Sequence, residues 1–341
     1  MIASPLEAHL VDRIAAALTG VDVLFDPELL PAPRYPSDHR GVDGFRRDAA
    51  GEARWNEMLG RAEALFGIPG DSAAGLQVTI SRAPALRWVH GTTAGAGELV
   101  SAAQLAPADL ARVIFTTSAG VHGGMLAEFT FYGLLALRKD AQRLERIRAE
   151  RGWDHFAMEE LDGSTIAVVG MGSIGEAVAI RARAFGMHVI GVARTAQPNP
   201  AADETVAIDA ATEAYQRADA IVVTLPGTEA TRHLIDRATI EAFKPSAVFV
   251  NVGRGMVVDQ AALVDALVSG AIRGAVLDVF SPEPLPPDNP LWTLPNVVLS
   301  PHTAALSVRE NQRIVELFCD NLRRFAVGEP MRNVINVSEF Y

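Results

Sequence analysis

Val168-Val169-Gly170-Met171-Gly172-Ser173-Ile174-Gly175 decides how the rest of the chain is read. A β-branched run, 165–169, leads into it, and a helical apolar pattern, 176–185, leaves it and is closed by Gly186. The spacing predicts strand, glycine turn and helix in direct succession. Gly170 permits the tight turn, Gly172 lets the backbone approach a pyrophosphate, and Gly175 allows the helix to pack close to the strand. The N-terminus of that helix offers free N–H groups, and Ser173, Ile174 and Gly175 in the turn leading into it are cofactor-binding candidates. Together with the helix dipole those N–H groups form an anion site. A second β-branched run follows at 188–192, so the stretch reads as a dinucleotide-binding βαβ unit.

Working outward, further short apolar runs occur at 220–225, 247–252, 274–279 and 297–300, with helical patterns between several of them. That alternation predicts a parallel sheet covered on both faces. Asp259 is placed to N-cap a helix over 260–269, with Gly270 just past its end. Upstream, 125–148 reads as one long helix, apolar through 129–137 and charged beyond. Residues 1–112 read as a smaller α/β segment with strand candidates at 21–25 and 86–90 and a helix at 55–66. Near the other end, Ser307 and Glu310 have the spacing of a capping box. The following helix buries Val315, Phe318, Cys319, Leu322 and Phe325 and stops at Gly328, with Pro330 beyond.

Composition narrows the function. In 341 residues, 49% are hydrophobic and 21% charged, enough for packed cores and too apolar for a disordered chain. The formal charge is −11 and there is no Lys/Arg block, which argues against nucleic-acid binding. The lone cysteine, Cys319, excludes an intrachain disulfide framework and a Cys-based metal cluster, and it reads as a core residue. No apolar run is long enough to span a bilayer, and the first residues do not have a signal-peptide pattern, so a cytoplasmic protein without a membrane partner is expected.

The polar residues that carry chemistry fall at strand ends, where an open parallel sheet places its ligands. Arg254 follows the run that ends at Val252. Asp278 closes the next one, Glu283 lies five residues on, and His302 follows the run 297–300. They supply a cation matched to a carboxylate, a titrating acid/base and a carboxylate to orient it. At the end of the second strand an acidic residue would bond the ribose hydroxyls of NAD, but the sequence has Ala193 there, followed by Arg194 and Thr195. A guanidinium with a hydroxyl beside it suits a 2′-phosphate, so NADP is favoured over NAD.

Five stretches in order, VVGMGSIG, ADAIVVTLPGTEATRHLID, FVNVGRGMVVDQAALVDAL, GAVLDVFSPEPLP and LPNVVLSPHTAA, resemble the D-isomer-specific 2-hydroxyacid dehydrogenase family. That family includes glyoxylate/hydroxypyruvate reductases and phosphoglycerate dehydrogenases. WVHGTTAGAG, 88–97, and Leu126-Ala127-Glu128 resemble its substrate loop and interdomain helix. The resemblance implies an α/β protein with a Rossmann dinucleotide-binding domain, 113–303, inserted in a smaller flavodoxin-like substrate domain, 1–112 plus 304–341, and a substrate held in the cleft. It implies His302 as general acid/base, Glu283 as its orienting partner, and Arg254 on the carboxylate and carbonyl of a small 2-oxo or 2-hydroxy acid. The backbone N–H groups of Ala94 and Gly95 would share that carboxylate. Asp278 would receive the nicotinamide carboxamide, Pro226 would border the adenosine, and Val252 and His302 would lie against the cofactor. No metal is implied, and a homodimer is.

Segment 88–96, with Trp292 or Leu306, is expected to line the pocket for the substrate's side chain. Two other readings remain open at this point: a dinucleotide-sensing co-regulator, and an NAD-dependent dehydrogenase of a larger acid such as phosphoglycerate.

Overall fold

Residues 1–338 and 340 are described by the structure, a computed structural model. They form two units, Met1–His122 with Leu306–Tyr341, and Gly123–Ala305.

In the first unit, β1 (Ala64–Phe66), β2 (Trp88–His90) and β3 (Ile114–Thr116) form a parallel sheet in that order. Because β3 pairs with β2, this unit extends beyond residue 112, the expected boundary. Ile2 bridges to Phe66, and its N–H donates to the Leu24 carbonyl at 3.0 Å, which sets residue 2 beside β1 and residue 24 outside it, a flavodoxin-like arrangement. The 21–25 run thus occupies a strand's place, yet it is not a strand. Nor does the helix expected at 55–66 reach its end: it spans Ala49–Arg61, capped by Asp48, and Leu65 and Phe66 belong to β1. Their apolar spacing fits either element, and fully burying both in the sheet decides it.

The terminal helix Glu310–Val327 packs Ile314, Val315, Phe318 and Cys319 against this sheet, with Trp88 stacked on Phe318 at 4.7 Å between ring centroids. Trp88 is therefore core and lines no substrate pocket, which corrects that part of the expectation. Cys319 is a core residue as read, and burial pushes its thiol pKa up. Ser307 and Glu310 do not form a capping box. The Ser307 hydroxyl accepts from the Arg309 N–H, while the Glu310 carboxylate is buried and paired with His122 Nε2 at 2.9 Å.

His90, at the end of β2, is fully buried between the hydroxyls of Thr116 and Ser118, and burial pushes its pKa down to about 3. Its folded pKa lies below the unfolded value, so it stays neutral in the fold while the unfolded chain takes up a proton. That stability is fully present above about pH 6.5 and drains away as the pH falls toward 3. The urea midpoint should therefore fall between about pH 7 and about pH 4, and fall less in His90→Asn. Equal slopes in the two proteins would contradict this.

The second unit carries a seven-stranded, all-parallel sheet. Its strands are β4 (Thr165–Val169), β5 (His188–Ala193), β6 (Glu204–Ala207), β7 (Ala220–Val223), β8 (Val248–Asn251), β9 (Gly274–Leu277) and β10 (Val297–Leu299). The order β10-β9-β8-β7-β4-β5-β6 is the doubly wound Rossmann order, with its switch point between β4 and β7. β4, β7, β8 and β9 are almost entirely buried, as strands covered on both faces must be. β6, half-buried at the edge, gave no apolar run and was not anticipated.

The helix Gln260–Ser269 is capped by Asp259 and ends at Gly270 with φ 70°, as read. The long helix expected over 125–148 is two helices, Gly123–Arg138 and Ala141–Glu150. Asp140 breaks it: at φ 53° its side chain accepts from the Arg143 N–H and caps the second helix. Arg138, buried, ends the first by donating to Glu159 and to the Asp219 carbonyl. Among the described residues no helix is long and apolar enough to cross a membrane.

Candidate active site

All seven strands run the same way, so every loop after a strand emerges on one edge of the sheet. The glycine turn leaves β4 there, with Gly170 at φ 100°. A Cβ on Gly175 would lie 1.9 Å from the Gly170 carbonyl oxygen, so the close approach of helix Ser173–Ala184 demands glycine. Gly172 differs: among the described residues nothing beyond its own chain neighbours would come within 4 Å of a Cβ there, and it N-caps the helix without a side-chain hydrogen bond. Protein packing does not require glycine at Gly172, whereas a pyrophosphate resting on the N–H groups of Ser173, Ile174 and Gly175 would. The residues present thus fit a dinucleotide. Thr224, after β7, fixes the turn by donating to the Gly170 carbonyl at 2.7 Å, a contact that sequence reading missed.

β5 ends at Ala193, and Arg194 and Thr195 follow, both exposed. Among the described residues the Arg194 guanidinium has no hydrogen-bond or ion-pair partner. Pro226 lies exposed in the loop after β7, next to the switch point.

Catalytic candidates stand at the ends of β8, β9 and β10. His302 Nδ1 lies 2.7 Å from Glu283 Oε2, and Glu283 Oε1 accepts from the Phe280 N–H at 2.9 Å. A carboxylate only accepts, so Nδ1 holds a proton toward Glu283 and Nε2 is left as the nitrogen that can give or take a second one. Both side chains remain partly exposed, which leaves them open to a ligand. Nineteen residues separate the two in sequence, and the loop after β9 closes that gap.

Arg254 is half-buried in the turn after β8. Asn251 shapes this turn from within: its side chain accepts from the Gly253 N–H at 3.1 Å and donates to the Arg254 carbonyl at 3.0 Å. Val252 between them is buried. A Cβ on Gly255 would sit 1.9 Å from the Phe280 carbonyl oxygen, so the Arg254 turn presses on the residue whose N–H holds Glu283.

Asp278, at the end of β9, is buried and accepts backbone N–H groups of Thr303 and Ala304 on Oδ1, each at 3.0 Å. Nothing in the sequence signalled Asn251 or these Asp278 bonds, because both act on backbone. A cavity of about 330 Å³ adjoins the His302–Glu283 pair, walled by Phe280, Leu285, Trp292 and neighbouring prolines. Trp292 is thus at the site; Leu306 falls in the other unit. Ala94 and Gly95 form the turn after β2 in the first unit, Ala94 exposed and Gly95 opening the helix Ala96–Ala102.

A Rossmann unit with a histidine–carboxylate pair and an arginine at its ligand edge fits a nicotinamide-dependent oxidoreductase. Residues 131–304 match the profile of the D-isomer specific 2-hydroxyacid dehydrogenase, NAD binding domain. The chain is 37% identical over 233 residues to a glyoxylate reductase of Korarchaeum cryptofilum, covering 66% of this chain and 69% of that protein. It is 32% identical over 295 residues to a D-3-phosphoglycerate dehydrogenase of Mycobacterium tuberculosis, covering 84% of this chain and 55% of that longer protein. Among solved structures, a D-isomer specific 2-hydroxyacid dehydrogenase from Xanthobacter autotrophicus Py2, in complex with NADPH and MES, superposes with a TM-score of 0.76 at 27% identity. That match covers 100% of this chain and 98% of the other. The chain belongs to the D-isomer specific 2-hydroxyacid dehydrogenase family.

Proposed function

We propose that the protein reduces the C2 carbonyl of a small 2-oxo acid, of the glyoxylate/hydroxypyruvate type, with NADPH preferred over NADH. The observation that carries this reading is the 2.7 Å contact between His302 Nδ1 and Glu283, on the same sheet edge as Arg254 and the glycine turn. Glu283, itself held by the Phe280 N–H, fixes the ring and turns Nε2 toward the substrate oxygen. Arg254 presents a planar fork to the substrate's carboxylate and draws charge toward the carbonyl oxygen. The Ala94 and Gly95 N–H groups stay proposed as substrate-binding donors. The bound nicotinamide supplies the hydride. His302 Nε2–H donates its proton to the oxygen as the C2 carbonyl becomes an alcohol, and in the reverse direction takes it back. Val252 and Pro226 stay proposed as cofactor neighbours.

Arg194 supports the NADPH preference, since no protein group competes for its guanidinium among the described residues. Arg194→Ala should weaken NADPH binding about ten- to a hundredfold and leave NADH binding nearly unchanged, measured side by side by fluorescence titration. Equal losses for both would overturn the preference. A kinetic survey of 2-oxo acids with both dinucleotides tests the activity itself. It should run from glyoxylate and hydroxypyruvate to acids with longer apolar side chains. Binding of NADPH with no turnover of any acid would favour the sensing protein instead. The partner chain proposed is a second copy, for which the exposed Tyr132, Trp153 and Ile180 of the second unit supply apolar surface.

A further inference from the structure

The turn that presents His302 is held almost entirely by one residue. His302 has φ 54°, in the left-handed region that side chains other than glycine rarely adopt. Its N–H donates to the Asp278 carbonyl at 2.9 Å and to the Ser300 carbonyl at 3.0 Å. The next two N–H groups, Thr303 and Ala304, converge on Asp278 Oδ1. Three consecutive amides therefore point at Asp278. Asp278 is 2% exposed and is tied back into the sheet by its own N–H, which donates to the Asn251 carbonyl of β8 at 3.1 Å. A backbone conformation of this kind persists only where the surroundings over-determine it.

We propose that Asp278 is a positioning residue for the proton transfer: its carboxylate grips the 302–304 backbone and so sets the His302 ring against Glu283. This rests on the reading of His302 as the proton carrier. It differs from a contact with the nicotinamide carboxamide, whose loss would fall on dinucleotide affinity. Both accepting positions of Oδ1 are taken up by the Thr303 and Ala304 amides, so this oxygen serves the turn. Glu283 is fixed independently, through the Phe280 N–H. Loosening the turn therefore moves only the histidine side of the pair.

Asp278→Ala should lower kcat about a hundredfold, the usual consequence of misplacing a reacting group by about an ångström, with the dinucleotide KM within about threefold of wild type. Asp278→Asn keeps an oxygen that can accept the same two amides, so it should recover most of the lost kcat. The proposal is overturned if alanine raises the dinucleotide KM while kcat holds, or if asparagine is no better than alanine. Should the alanine variant not fold, amide exchange in the wild-type chain decides. The Thr303 and Ala304 amides should exchange at least about a hundredfold slower than open-loop amides, and exchange at open-loop rates removes the grip. A wild type that reduces no 2-oxo acid sinks the functional reading instead, and the exchange result still reports whether Asp278 holds the turn.

Discussion

His302→Gln should cut turnover of 2-oxo acids by about 10²–10⁴-fold, the range that a positioned general acid contributes. Glutamine can still donate an N–H to Glu283 and roughly fill the ring's place, but it has no group that passes a proton on at neutral pH. Dinucleotide affinity should stay within about threefold, because the pyrophosphate site proposed at the glycine turn and helix Ser173–Ala184 does not include His302. Stopped-flow reduction together with fluorescence titration of the dinucleotide separates the two effects. A variant with near-full turnover would remove His302 from the chemistry and leave Glu283 without a purpose.

Arg254→Lys should be nearly as severe, lowering kcat/KM by about 10²–10³-fold. Lysine keeps the positive charge, so a change this large measures geometry: the planar, two-pronged donor that a carboxylate needs, lost to a point charge. The turn itself is built by Asn251, whose side chain bonds the Gly253 and Arg254 backbone, so the substitution leaves the local fold in place. Both kcat and the oxo-acid KM should worsen, since the same fork is proposed to bind the substrate and polarise its carbonyl. A lysine variant within about threefold of wild type would mean that Arg254 touches neither group.

Most of the second unit was legible in the sequence because its central strands are buried on both faces and must be continuously apolar. β6 was not, because at an edge and half exposed it needs no such run. The helix break at Asp140 was hidden by helical spacing on both sides of it, and only the side-chain cap, a local competitor for backbone, creates it. The same limit explains Glu310. A capping box was readable three residues from Ser307, but the carboxylate is taken by His122, 188 residues away in sequence.

At the site, Arg254, Glu283 and His302 could be found because parallel strands deliver their ends to one edge. What the sequence concealed is the scaffolding beneath them. Asn251, Thr224 and Asp278 act through main-chain amides and carbonyls, and those contacts leave no pattern of residue types. In the first unit, segment 34–41, which carries no sequence motif, is held by Asp38. Its carboxylate accepts from Arg34 side chain and backbone and from the Arg40 and Gly41 N–H groups. The Arg34 guanidinium holds that carboxyl well below the usual range.

The most direct test follows the transferred atom. With NADPH deuterated at nicotinamide C4 and a 2-oxo acid that the protein turns over, the product should be a D-2-hydroxy acid with deuterium on C2. It should form with the wild type and about 10²–10⁴-fold more slowly with His302→Gln. A product without deuterium on C2, or label transferred equally well by the histidine variant, would contradict the account.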